Sequence, residues 1–257
     1  YSNYLMASRL KPNTISTYMR MLRSIYNRGV DMHQAPYVHG LFRDVFTGVD
    51  TRQKKAIPIG ELHMLLNKDP QSEKLRRTQA IANLLFQFCG MPFSDLAHLE
   101  KSNLERGLLK YNRTKTGTPM SIEVLESAQN AIGGLYNKSD ARSSGYPDYL
   151  FRILSGAYKR NEEGAYREYQ SALRRFNNEL KSLSRKLRLH SPVTSYTLRH
   201  SWATTAKYRG VPIEMISESL GHKSIKTTQI YLKGFELEER TKVNKSNYSY
   251  VCNFKML

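Results

Sequence analysis

Between Thr194 and Phe235 the chain reads TSYTLRHSWATTAKYRGVPIEMISESLGHKSIKTTQIYLKGF, and a few side chains in it are of types that handle phosphate. Arg199 is followed by His200; then come Leu220-Gly221-His222 and, nine residues past that histidine, Tyr231. Cleaving a phosphodiester with a protein nucleophile needs such parts: cations and donors around a five-coordinate phosphorus, and a hydroxyl to attack it. Each has a duller reading alone. An arginine on a helix is usually solvated, a histidine after a helix-ending glycine caps carbonyls, and a tyrosine in a chain with 17 of them is structural by default.

These groups need elements to hold them. Thr194-Ser195 precede a helix expected to reach about Tyr208 and stop at Gly210, with Arg199 in its first turns, where the helix dipole favours an anion. Gly210-Val-Pro212 opens the next helix, whose buried stripe is Ile213, Ile216 and Leu220; Gly221 turns the chain so that His222 emerges at its end. Tyr231 falls on a short helix with Thr227 and Thr228. Upstream, residues 108–124 alternate around Lys115-Thr-Gly117 and predict a β-hairpin with the lysine near its tip.

Most of the remaining chain has helical spacing. The run from Lys11 predicts a helix capped by Asn13 or Thr14 and stopped near Gly29, with Ile15, Tyr18, Met19, Leu22, Ile25 and Tyr26 on one face and Arg20, Arg23 and Arg28 on the other. Periodicity fades between Pro36 and Pro58, a stretch that contains the basic run from Thr51 to Ala56 with Lys54 and Lys55. Helices are expected over 59–66, about 72–89 and 127–136, with a short one from Phe93; residues 137–149 form a loop. A long basic amphipathic helix covers 162–189, with Tyr169, Leu173, Phe176, Leu180, Leu183 and Leu187 inward and Arg174, Arg175, Lys181, Arg185 and Lys186 mostly outward. The expected class is mainly α with a small antiparallel β-hairpin, an α+β chain.

Composition narrows the partners. With 257 residues and 40% hydrophobic content the chain can bury one large or two modest cores. Forty Lys and Arg against 22 Asp and Glu give +18, a charge that suits nucleic acid or an anionic membrane. No apolar run approaches the roughly 18 residues of a membrane span, so nucleic acid is the expected partner. Cys89 and Cys252 lie far apart and form no CxxC pair, which predicts a metal-free, cytoplasmic protein. The chain starts at Tyr1 and shows no secretory signal pattern, and a fragment of a longer protein is the expectation.

The order Arg-His-Ser-Trp-Ala-Thr (199–204), then Leu-Gly-His-x8-Tyr (220–231), resembles the C-terminal signature of the tyrosine recombinases, the phage integrase family. Within that family the chain is most similar to integrases and invertases of bacterial conjugative transposons and invertible elements. The resemblance implies a partial helical core-binding domain over residues 1–50, an interdomain linker over 51–58 that crosses the DNA backbone, a catalytic domain over 59–235 and a C-terminal tail over 236–257. It implies that Tyr231 forms a 3′-phosphotyrosyl bond, that Arg199 and His222 stabilise the phosphorane, and that Lys115 protonates the leaving 5′ oxygen. No cofactor or metal is implied. The implied partners are double-stranded DNA, held in part by Arg20, Arg23, Lys54, Lys55, Arg174 and Arg175, a homotetramer on paired sites joined through the tail, and DNA-bending accessory proteins. The bacterial nucleoid is the implied location.

Two departures from the family pattern stand out. Where the first catalytic arginine is expected, the chain reads Cys89-Gly-Met-Pro92, with no cation in either register; Arg77, Arg106 and Arg113 are the candidate replacements. Tyr196, three before Arg199, stands where the family most often has histidine, and a phenol can donate to phosphate but is a poor base near neutral pH. The alternatives left open are a catalytically impaired DNA-binding protein on the same scaffold and a type IB topoisomerase-like relaxing enzyme.

Overall fold

The computed structural model describes residues 1–45, 47–48, 56–138, 146–232 and 237–252. Two compact units divide the chain, Tyr1–Gln53 and Lys54–Leu257. In the first, α1 (Ser2–Ala7) precedes α2 (Pro12–Asp31). Proline at the first position of α2 starts it, because the ring presets a helical φ where the missing N–H costs nothing; the cap position is Lys11, not the expected Asn13 or Thr14. The helix also runs two residues past Gly29. Ile15 and Met19 of α2 pack with Leu5, Phe42 and Val45, and Ser16 Oγ donates to the Gly48 carbonyl at 2.5 Å. The expected apolar face is covered only in part: Tyr18, Leu22 and Ile25 are 43%, 38% and 66% exposed.

The second unit is built on α4 (Glu73–Gln87), with α3 (Ile59–Asn67), α6 (Glu126–Leu135), α7 (Glu163–Lys186) and α8 (Ser195–Tyr208) against it. Leu84 and Leu85 of α4, Phe88, Leu96, Leu180, Leu183 and Leu198 are all buried at 2% exposure or less in one continuous core. On α7, Phe176, Leu180 and Leu183 face that core as expected, whereas Tyr169 and Leu173 are only half-buried, because they line the cleft described below. The Phe93 and Phe176 rings stack at 4.7 Å and tie α5 (Phe93–Ala97) to α7.

A three-stranded antiparallel sheet sits beside α5: β1 (Leu104–Glu105), β2 (Leu108–Asn112) and β3 (Pro119–Glu123), in that order. In β2 and β3, Leu109 faces Ile122 and Tyr111 faces Met120. The hairpin connecting them spans 113–118, closed by Arg113 N–H to the Thr118 carbonyl and Gly117 N–H to the Arg113 carbonyl, with Lys115 in the turn. The fold is thus mainly helical with one small antiparallel sheet, the class expected from the sequence.

The last helices have a core of their own. Ala203 of α8, Ile216 of α9 (Ile213–Ser219) and Leu220 are buried together, with Trp202, Ala206, Val211 and Leu232 packed on them. Then come α10 (Ile225–Tyr231), which packs on α9, and α11 (Leu237–Cys252), whose described side chains are exposed.

Candidate active site

One cleft of about 830 Å³ gathers the C-terminal end of α9, the N-terminal end of α8, the hairpin turn and one flank of α7. Its lining includes Arg113, Lys115, Tyr196, Arg199, His222 and Thr227, with Tyr169, Leu173 and Asn177 from α7.

The approach of α8 is fixed locally. Thr194 and Thr197 form a reciprocal cap, Thr197 N–H donating to Thr194 Oγ1 at 3.2 Å and Thr194 N–H to Thr197 Oγ1 at 2.8 Å. Asn177 Oδ1 accepts from Ser195 N–H at 2.9 Å, so the helix start is pinned to α7. Capped in this way, α8 directs the positive end of its dipole toward the cleft.

Arg199 stands in the second turn, 5% exposed. Its Nη1 donates to the Gly90 carbonyl at 2.8 Å, and its Nη2 donates to the Leu220 carbonyl at 2.5 Å and to His222 Nε2 at 3.2 Å. Gly90 is required for this approach: at φ +64° it takes a left-handed conformation, and a Cβ there would meet Arg199 Cα and Trp202 Cβ, both at 3.2 Å. The Cys-Gly-Met-Pro stretch therefore does contribute to the site, through a backbone carbonyl rather than through a cation.

A second buried arginine lines the cleft from the hairpin side. Arg113, 7% exposed, donates from Nε to Asp95 Oδ2 at 3.1 Å, and from Nη1 to the Leu220 carbonyl at 2.6 Å and the Gly221 carbonyl at 3.3 Å. One carbonyl, at the negative end of α9, thus accepts from both guanidinium groups. Asp95, 2% exposed, accepts also from Thr114 N–H at 3.2 Å, so it holds both the arginine and the turn that carries Lys115. Gly221, at φ +64°, leaves room for this arginine: a Cβ would overlap Arg113 Cδ and come within 2.7 Å of Met120 Sδ.

His222 follows that glycine. Its Nδ1 lies 2.8 Å from Thr228 Oγ1, a hydroxyl fully buried on α10. Burial first, then the charges of Arg199, Arg113 and Lys115, pull its pKa down to about 4, so the ring is neutral near pH 7. Tyr231 is the last residue of α10, three positions beyond Thr228.

The remaining expected residues fall as follows. Lys115 is exposed on the turn and lines the cleft. Tyr196, 49% exposed, lines it too and meets the buried His200 ring edge-on at 4.5 Å. Arg77 is not brought to the cleft: it projects from the outer side of α4 and donates to the Arg152 carbonyl. Arg106 is exposed in the β1–β2 turn. Arg174 and Arg175 are exposed on the far flank of α7, beside Lys74, and Arg20 and Arg23 are exposed on α2. Lys54 and Lys55 lie outside the described residues. Among the described residues no group of three His, Cys, Asp or Glu side chains could hold a metal ion, and no helix is long and apolar enough to cross a membrane.

Comparison with known proteins bears on the same region. The model of the phage integrase family matches residues 59–237. The chain belongs to the phage integrase family. It is 30% identical over 190 residues to the tyrosine recombinase XerD of Halalkalibacterium halodurans, covering 70% of this chain and 57% of that protein. It is 28% identical over 204 residues to a probable integrase/recombinase protein of Methanocaldococcus jannaschii, covering 77% of this chain and 58% of the relative. The chain thus spans under two thirds of the length of these two relatives. In fold it is similar to the Tn1549 transposon integrase, solved with a circular intermediate DNA, at a TM-score of 0.66, 15% identity and coverage of 95% and 82%. It is also similar to the XerA recombinase, at a TM-score of 0.54, 19% identity and coverage of 95% of both chains.

Sequence reasoning left Arg113 as one of three candidates and did not single out Asp95 or Thr228. In the sequence Asp95 is only one residue of the short helix expected from Phe93. The partners that tie it to the cleft, Arg113 and Thr114, are 18 and 19 residues away, so no helical or strand period connects them.

Proposed function

We propose that this chain is the catalytic part of a site-specific tyrosine recombinase that cleaves and rejoins double-stranded DNA through a 3′-phosphotyrosyl intermediate. The observation that carries the reading is the convergence of Arg113, Arg199, His222 and Lys115 on one cleft, next to the helix that ends in Tyr231. In this reading Tyr231 attacks the scissile phosphorus. The bond from its phenol oxygen to phosphorus forms as the bond to the 5′ oxygen breaks, the phosphate stays on the DNA 3′ oxygen, the phenol proton leaves to solvent, and Lys115 donates the proton that the leaving 5′ oxygen takes up. Arg199 and Arg113 hold the non-bridging oxygens, Arg113 doing the work of the first arginine that Pro92 cannot do. Among the described residues no protein acceptor engages Arg113 Nη2, which leaves its two N–H groups for an anion in the cleft. The phosphotyrosyl bond keeps the energy of the phosphodiester, so a 5′ hydroxyl of a partner strand can reverse the step without a metal or a nucleotide cofactor.

Integration, excision or inversion of a mobile element is the biological outcome this chemistry serves, carried out at the bacterial nucleoid by a tetramer on paired sites, with DNA-bending proteins where the site requires them. The exposed side chains of α11 suit a tail that docks on a neighbouring protomer. Arg20, Arg23, Lys54, Lys55, Arg174 and Arg175 would contact the DNA backbone.

Nicked suicide substrates carrying candidate element ends, resolved on denaturing gels, test the proposal. A protein–DNA adduct is expected from the wild type and none from Tyr231→Phe. An adduct that persists in Tyr231→Phe would overturn the nucleophile assignment, and specific DNA binding with no adduct on any substrate would favour the impaired DNA-binding alternative, for which the proline at 92 is the supporting observation. Relaxation of plasmid without a specific site would favour the topoisomerase-like one.

A further inference from the structure

The hydrogens around His222 can be assigned by elimination. A guanidinium nitrogen carries only donors. An N–H of Arg199 Nη2 is directed at His222 Nε2 across 3.2 Å, and the same nitrogen donates to the Leu220 carbonyl at 2.5 Å. Nε2 must therefore present its lone pair to the arginine. In a neutral ring the proton then resides on Nδ1, and the atom 2.8 Å from Nδ1 is Thr228 Oγ1, which accepts it. The reverse tautomer would set an N–H of the imidazole against an N–H of the guanidinium. Burial and the positive charges of Arg199, Arg113 and Lys115 keep the ring neutral, so the elimination applies at pH 7.

We propose that Thr228 is a positioning residue: its buried hydroxyl fixes His222 in the Nδ1–H tautomer, with the basic Nε2 toward Arg199, and docks the imidazole onto the helix that carries Tyr231. Thr228 is fully buried and three residues before Tyr231 on α10. A displacement of α10 either breaks this hydrogen bond, leaving a buried donor without its acceptor, or carries the imidazole with it. The histidine and the nucleophile's helix are therefore set together. The consequence for cleavage rests on the recombinase reading, whereas the tautomer itself does not.

The test uses the whole chain labelled with nitrogen-15, with long-range proton–nitrogen correlation spectra of the histidine rings at pH 7 and the His222 signals assigned by their loss in His222→Gln. Thr228→Val keeps the volume and removes the acceptor; Thr228→Ser keeps the acceptor. The wild type and Thr228→Ser are expected to show the Nδ1–H pattern at His222, and Thr228→Val to lose it. Adduct formation on a nicked substrate is expected to fall roughly 10–100-fold in Thr228→Val, the range for an orphaned buried donor, and to be restored to within about threefold by Thr228→Ser. DNA affinity, measured in parallel, is expected to stay near wild type in both, and the thermal midpoint to fall by several degrees in Thr228→Val and to stay near wild type in Thr228→Ser. An Nε2–H pattern in the wild type would overturn the inference, as would Thr228→Val retaining both the Nδ1–H pattern and the wild-type rate. If the wild type forms no adduct on any substrate, the recombinase reading fails, and the spectra alone decide the role of Thr228.

Discussion

The hairpin wall of the cleft and its helical wall hold their arginines by different means. Arg113, on the hairpin side, is fastened by a carboxylate: Asp95 is buried, takes the Nε proton and also accepts from the Thr114 backbone. Arg199, on the helical side, is fastened by the Gly90 and Leu220 carbonyls and by the neutral ring of His222. A carboxylate offsets a full charge, whereas a carbonyl offers only part of one. The hairpin wall is thus a pre-built support whose geometry is set within the protein, and the helical wall keeps more of its field for whatever anion enters. The walls meet at the Leu220 carbonyl, where two like charges share an acceptor, an arrangement that an incoming anion would relieve.

Breaking the hairpin wall should cost the most. Asp95→Ala leaves Arg113 buried without its carboxylate and is expected to destabilise the chain by about 3–5 kcal/mol, read as a lower urea midpoint. Asp95→Asn, which keeps an acceptor, should cost less. On the helical wall the larger loss is expected in chemistry: Arg199→Ala should lower the adduct rate by about 10²–10³-fold, the range for removing one oxyanion donor, with a smaller change in stability than Asp95→Ala. Equal destabilisation by the two variants would erase the distinction between the walls.

Gly221→Ala probes the point where they meet. It forces an L side chain into a left-handed conformation and into Arg113 Cδ, and should cost about 1–3 kcal/mol while slowing cleavage, because the arginine must shift. Acid should act through His222. Its folded pKa of about 4 lies below the ordinary value of 6.5, so between those values the unfolded chain binds a proton that the folded chain does not, and stability falls as pH drops through that window. The urea midpoint of His222→Gln is expected to fall less than that of the wild type between pH 6.5 and 5. The smallest effect is expected at Arg77, on the outer side of α4: Arg77→Ala should change the adduct rate less than about twofold, whereas Arg113→Ala should lower it about 10²-fold or more.

The amino-acid order by itself determined the helices, the hairpin with Lys115 in its turn, and the Arg199 and His222 that the fold brings into one cleft. Each of these is a local pattern: a 3.6-residue or two-residue period, a glycine that ends a helix, or a short motif within one stretch of chain. The half-covered stripe on α2 shows the limit of such patterns, since a period says which side chains share a face but not how much of the chain will cover it. Only the tertiary structure decided which of the candidate arginines lines the cleft. Arg77, Arg106 and Arg113 are equivalent as letters, and Arg113 is set apart by a carboxylate 18 residues before it and a carbonyl 107 residues after it. Thr228 is the same kind of case, an ordinary helix residue until packing buries its hydroxyl against an imidazole. The physical reason is common to both: a buried polar group must find its partner wherever the packing of separate elements brings one within about 3 Å, and that distance is set by the core beneath them, not by neighbours in the chain.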